Sequence, residues 1–116
     1  MSDLAIYISS RNNYSLLSEF INRNKSTVDD YYFVNIDDYS DDNEVKLGLE
    51  ICQKHGIPFI QNKARGLQNA TQTMIDHLES NNIKSKYILW MTHDSHTITD
   101  GFVDKFNKLV SSNKLD

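Results

Sequence analysis

Short β-prone runs and runs of helical period alternate along the whole chain, and this alternation constrains the fold more than any other feature. Leu4-Ala5-Ile6-Tyr7-Ile8 is β-prone and ends in the polar stretch Ser9-Ser10-Arg11-Asn12-Asn13. Leu16, Leu17, Phe20 and Ile21 then recur at helical spacing, with a stop expected near Asn24. Tyr31-Tyr32-Phe33-Val34-Asn35-Ile36 has the aromatic and β-branched content of a second strand. Val45, Leu49 and Cys52 share a helical face that His55-Gly56 closes. Ile57-Pro58-Phe59-Ile60 predicts a short third strand, whose proline favours a sheet edge or a strand start. Leu67, Ala70, Met74 and Leu78 mark a third helix, and Tyr87 to Met91 a fourth strand. Phe102, Val103, Phe106, Leu109 and Val110 mark a last helix. Strands separated by helices need crossover connections. The chain is therefore predicted to be α/β, a mostly parallel, Rossmann-like sheet with helices on both faces.

Bulk properties narrow the function classes. With 116 residues the chain has room for one domain, residues 1–116, built on a single sheet. A formal net charge of -4 argues against a nucleic-acid partner held by phosphate neutralisation. The only cysteine, Cys52, forms no intramolecular disulfide, which fits a reducing, cytoplasmic setting. Met1-Ser2-Asp3 opens no signal peptide, and no apolar run is long enough for a membrane span.

A parallel sheet gathers the carboxyl ends of its strands on one edge, where ligands of open α/β folds bind. Ser9 and Ser10, Asp37 and Asp38, the turn from Asn62 to Arg65, and His93, Asp94 and His96 are expected to converge there. Asp38 ends a strand, so its carboxylate suits hydrogen bonds from a base or ribose. Asp41 and Asp42 suit the start of the next helix instead. Asp94, with His96 as a second ligand, suits a divalent cation such as Mn²⁺, although the same residues also make a self-bonded polar turn. Lys63 and Arg65 flank a strand-to-helix turn ending in Gly66. They suit a phosphate, or else are solvated surface charges. Walker, dinucleotide-fingerprint, EF-hand and structural-zinc patterns are missing from the sequence. Cys52 on an apolar helix face is no nucleophile candidate, and His55 and His77 are expected on helix surfaces.

Together these pieces resemble the nucleotide-binding half of a GT-A fold glycosyltransferase of the inverting family 2 kind. The first strand and its turn, Ile8-Ser9-Ser10-Arg11-Asn12, match that family's serine/threonine- and asparagine-bearing opening. Asp37-Asp38-Tyr39-Ser40-Asp41-Asp42 matches an Asp-Asp-x-Ser-x-Asp signature, with Tyr39 in place of the commonest glycine. The turn from Asn62 to Gly66 and the run from Tyr87 to Asp94 follow in the expected order, so the resemblance spans Ala5 to about Val110. It implies that Ser9 and Arg11 lie against the nucleobase and that Asp38 bonds uracil or a similar base. Lys63 or Arg65 would approach the base or diphosphate, and His93 the ribose. Asp94 would hold Mn²⁺ or Mg²⁺ on the diphosphate. The implied activity is transfer from a nucleotide sugar, a UDP-sugar by preference, to an unknown hydroxyl acceptor. Two departures are evident. Thr92 replaces the first acid of the Asp-x-Asp motif, and the segment supplying acceptor site and general base in the family has no counterpart after Val110. A partner chain or second copy is then expected to supply the acceptor surface. A non-catalytic nucleotide-sugar module is the alternative. A receiver-like domain is a third reading, but its acid pair would end the first strand, which here ends in Ser9-Ser10.

Overall fold

The computed structural model describes residues 4–25, 31–62, 66–85 and 87–92. These form β1 (Leu4–Ser10), α1 (Tyr14–Arg23), β2 (Tyr32–Asp37), α2 (Asp42–Lys54), β3 (Phe59–Gln61), α3 (Leu67–Ser80) and β4 (Tyr87–Thr92). The last predicted helix lies outside the described residues. The four strands pair in the order β3-β2-β1-β4, and every pairing is parallel. The chain is thus α/β, with a Rossmann-like arrangement of strand and helix.

The order follows from where the chain turns back. From β1 it steps outward to β2 and then β3, with α1 and α2 making the crossovers. The chain then returns through α3, past both strands, to the far side of β1. Right-handed crossovers in opposite directions put their helices on opposite faces. On one face Leu4, Ile6 and Ile8 meet Leu17, Phe20 and Ile21 of α1 and Cys52 of α2. On the other, Ala5 and Tyr7 join Val34, Ile36 and Ala70 of α3. The residues of β1 from Leu4 to Ile8 are completely buried. A buried aliphatic side chain of this size contributes about 1.5–3 kcal/mol, so the central strand anchors both layers.

Pro58 ends where its chemistry directs it. It precedes the edge strand β3, and its carbonyl accepts a 3.0 Å hydrogen bond from the Asn35 amide. One helix phase differs from expectation. Leu49 is 40% exposed, and the residues of α2 that are buried are Gly48 and Cys52. The helix is turned so that its glycine, not its leucine, meets the core.

His77 also departs from its expected place on a helix surface. Its Nδ1 is 2.7 Å from the Tyr7 hydroxyl, and its ring stacks on Tyr32 at 6.2 Å with an interplanar angle of 19°. Burial lowers its pKa below the ordinary 6.5. The unfolded chain therefore takes up the His77 proton at a higher pH than the folded one. Its contribution to stability is complete above pH 6.5 and is lost as pH falls through the folded-state value. Urea melts from pH 8 to pH 5 are expected to show this loss, and a His77→Gln variant should show a shallower one. Equal slopes for the two proteins would remove His77 from the account.

Candidate functional site

Three loops meet at the carboxyl edge of the sheet. They follow β1, β2 and β3, and the strand register brings them together: Ser10 lies opposite Asp37, and Asp37 opposite Gln61. Just beyond the strands, the Asp38 amide donates to the Ser10 carbonyl at 2.8 Å, and the Asn62 amide to the Asp37 carbonyl at 2.7 Å. The chain reverses its direction across the sheet between β1 and β4, so the topological switch point lies at the ends of these two strands.

The two adjacent acids have different surroundings because neighbouring strand residues face opposite ways. Asp37 is completely buried on the α1/α2 face. Its Oδ1 accepts from the Tyr14 hydroxyl at 2.6 Å and from Ser40 Oγ, and its Oδ2 accepts from the Ser40 amide at 3.0 Å. Tyr14 also accepts from Asn35 Nδ2, and Asn35 Oδ1 in turn accepts from Ser10 Oγ. Burial first, and then the hydrogen bond to Asp37, push the Tyr14 phenol well above its usual range. It stays protonated and remains a donor. Asp37 is thus a buried anchor with its oxygens occupied.

Asp38 is half-buried and faces the start of α3. Its Oδ1 accepts from the Gly66 amide at 3.0 Å and from Asn62 Nδ2 at 3.3 Å. Oδ2 has no partner among the described residues. Gly66 has φ +123°, a conformation a side chain would strain, and this lets its amide face the carboxylate just before α3 begins. Asn62 is itself held by Thr73 Oγ1, which donates to Asn62 Oδ1. One oxygen of Asp38 therefore ties together Asn62 and Gly66, and the other has no bond to a described residue.

Cross-loop capping makes this edge rigid. Asn12 Oδ1 accepts from the Asp41 amide at 2.9 Å, and Ser40 Oγ accepts from the Asn12 amide at 2.8 Å. Glu44 of α2 accepts from the Tyr14 amide at the start of α1, at 2.9 Å. Asp41 occupies the N-cap position of α2, but its side chain makes no capping bond. Asp42 and Glu44 lie in the first turn, where the helix dipole favours acids. The expected capping role of Asp41 is thus positional only, and the bonding is done by Asn12. Asn12 and Asn13 have φ values of +52° and +49°, which asparagine tolerates better than most residues.

Of the residues singled out in the sequence, Ser9, Arg11 and Asp38 are brought together at this edge. Ser9 is half-buried, with no side-chain partner among the described residues. Arg11 is half-buried, and its Nε is sealed from solvent without a hydrogen-bond partner. Lys63, Arg65, His93, Asp94 and His96 lie outside the described residues. Among the described residues, no group of three His, Cys, Asp or Glu side chains is placed to hold a metal ion. Cys52 is buried, and burial followed by the nearby Asp37 charge pushes its thiol up to about 12, so it is no nucleophile at neutral pH. No described helix is long and apolar enough to cross a membrane.

Sequence reasoning missed Tyr14, Asn35 and Gly48, which hold the site from beneath, and gave Ser40 its place in the acidic signature but not its bonds to Asp37. The available signal was Asn35, a polar residue in the middle of an otherwise apolar strand. Comparison with family models, with curated proteins and with solved structures finds no match for this chain.

Proposed function

We propose that this chain binds a nucleoside-diphosphate sugar, specifically a uridine diphosphate sugar, at the carboxyl edge of its sheet. The observation that carries the reading is the Asp38 carboxylate. One of its oxygens is held by Asn62 and Gly66, and the other has no partner among the described residues, at the end of a parallel strand one place from the switch point. A carboxylate fixed through one oxygen suits the imide N–H of a uracil at the other, a donor that the other common bases present differently. Ser9 and Arg11 border the same position, and Lys63, Arg65 and His93 complete the donor pocket in this reading. Asp94, with His96, would hold Mn²⁺ or Mg²⁺, and the ion would supply charge neutralisation for a diphosphate. Transfer to an acceptor hydroxyl also needs a general base, and none is assigned among the described residues.

The test is calorimetric titration with uridine diphosphate, with and without Mn²⁺, on the wild type and on Asp38→Ala and Asp94→Ala. Asp38→Ala is expected to weaken binding about 10-fold to 100-fold, the range for a charge-assisted hydrogen bond. Asp94→Ala is expected to abolish the effect of Mn²⁺. Absence of nucleotide binding in the wild type overturns the reading. Slow hydrolysis of a uridine diphosphate sugar would mark a transferase; tight binding without turnover would mark a donor-binding module.

A further inference from the structure

Arg11 follows the end of β1 and pairs with no acid among the described residues. Both oxygens of Asp37 accept from Tyr14 and Ser40, Asp38 Oδ1 accepts from Asn62 and Gly66, and Glu44 Oε1 accepts from the Tyr14 amide. Asp41 and Asp42 are exposed at the start of α2. The Arg11 side chain has no hydrogen bond or ion pair among the described residues, and its Nε is buried without a partner. A guanidinium whose Nε is withdrawn from water with no acceptor among the described residues is costly to keep. The backbone holds it in place on both sides. Ser10 before it bonds Asn35, and Asn12 after it is tied to Ser40 and Asp41. The side chain is therefore mounted on a backbone tied on both sides.

Strand order places Arg11 between the end of β2 and that of β4. Asp38 follows the end of β2, Arg11 the end of β1, and the next strand is β4 across the switch point. Neighbouring strands are about 4.8 Å apart, so a ligand with its base at Asp38 passes over β1 on its way to β4. The part of a nucleotide that follows base and ribose is phosphate. We infer that Arg11 is an anion-binding residue that takes the phosphate of a nucleotide whose base is held at Asp38, and that it does so without a metal ion. This rests on the donor-site reading above for the base, but not for the anion. It moves Arg11 from the nucleobase, where the resemblance puts it, to the phosphate. The fork of the guanidinium suits two phosphate oxygens at once, which a lysine cannot match.

The experiment uses three ligands in EDTA: uridine, uridine monophosphate and inorganic pyrophosphate. Wild type is expected to bind the monophosphate about 10-fold to 100-fold more tightly than uridine, the gain of a bidentate charge-assisted contact. Arg11→Gln should abolish that ratio while leaving uridine affinity within about 2-fold, and Arg11→Lys should keep part of it. Melting temperatures of both variants, expected near that of wild type, exclude general unfolding. Pyrophosphate binding that disappears in Arg11→Gln supports the anion role even if no nucleoside binds, an outcome that sinks the donor-site reading alone. Equal loss of uridine and monophosphate affinity in Arg11→Gln overturns the inference and leaves Arg11 at the base. Indifference of both monophosphate and pyrophosphate to Arg11→Gln overturns it as well.

Discussion

Asp37→Ala is expected to destabilise the fold by roughly 3–6 kcal/mol, a large part of the 5–15 kcal/mol typical of a whole domain. The alanine removes the acceptor for the Tyr14 hydroxyl, the Ser40 hydroxyl and the Ser40 amide together. All three donors lie under the carboxyl edge where water has little access, and each unsatisfied buried donor costs about 1–3 kcal/mol. Asp37→Asn keeps the shape and one acceptor oxygen, and is expected to lose about half as much. The neighbouring Asp38→Ala is expected to cost about 1 kcal/mol, because Asp38 is half-buried and only one of its oxygens holds described donors. Urea melts of the three variants separate the adjacent acids: the first maintains the edge, and the second is the proposed ligand contact. An Asp37→Ala midpoint close to that of wild type would refute the anchoring role. Binding should follow the reverse ranking, with Asp38→Ala folded but weak for uridine diphosphate.

That division of labour was only half legible in the sequence. Strands ending in acids announce a site on a parallel edge, and the placement of Asp38 followed from that. But both faces of β2 are covered, Phe33 on one and Val34 and Ile36 on the other. A strand buried on two faces has no polar–apolar alternation to reveal which acid points where. The alternation of element types was legible because each run is long enough to carry its period. The order β3-β2-β1-β4 was not, since it is set by where α3 returns the chain. The phase of α2 was misjudged for a related reason. A hydrophobic-period argument counts Leu49 as inward and gives Gly48 no weight, whereas the close contact needs a residue without a side chain. His77 likewise read as a surface residue because its partner Tyr7 is 70 positions away.

Gly48→Ala is expected to cost about 2 kcal/mol, even though alanine is the better helix former by about 1 kcal/mol. A Cβ at position 48 would lie 2.6–2.7 Å from the ring atoms of Tyr14. Carbon atoms in contact prefer about 3.5–4.0 Å, so the ring or the helix must move. The ring has no room to yield. It is fully buried, its hydroxyl is fixed by Asp37 and Asn35, and Phe59 lies beside it at 6.1 Å between centroids. Moving α2 instead shifts Ser40 and Asp41, which carry the turn beside Asp38 and the tie to Asn12. The same substitution should therefore weaken nucleotide binding about 10-fold, although Gly48 is remote from the proposed ligand. A double-mutant cycle with Tyr14→Leu isolates the contact. With the ring gone, Gly48→Ala should become neutral or stabilising, because only the gain in helix propensity remains. An unchanged penalty in the Tyr14→Leu background would mean that α2 is positioned by something other than this ring. Asp37 would then be held by its turn alone.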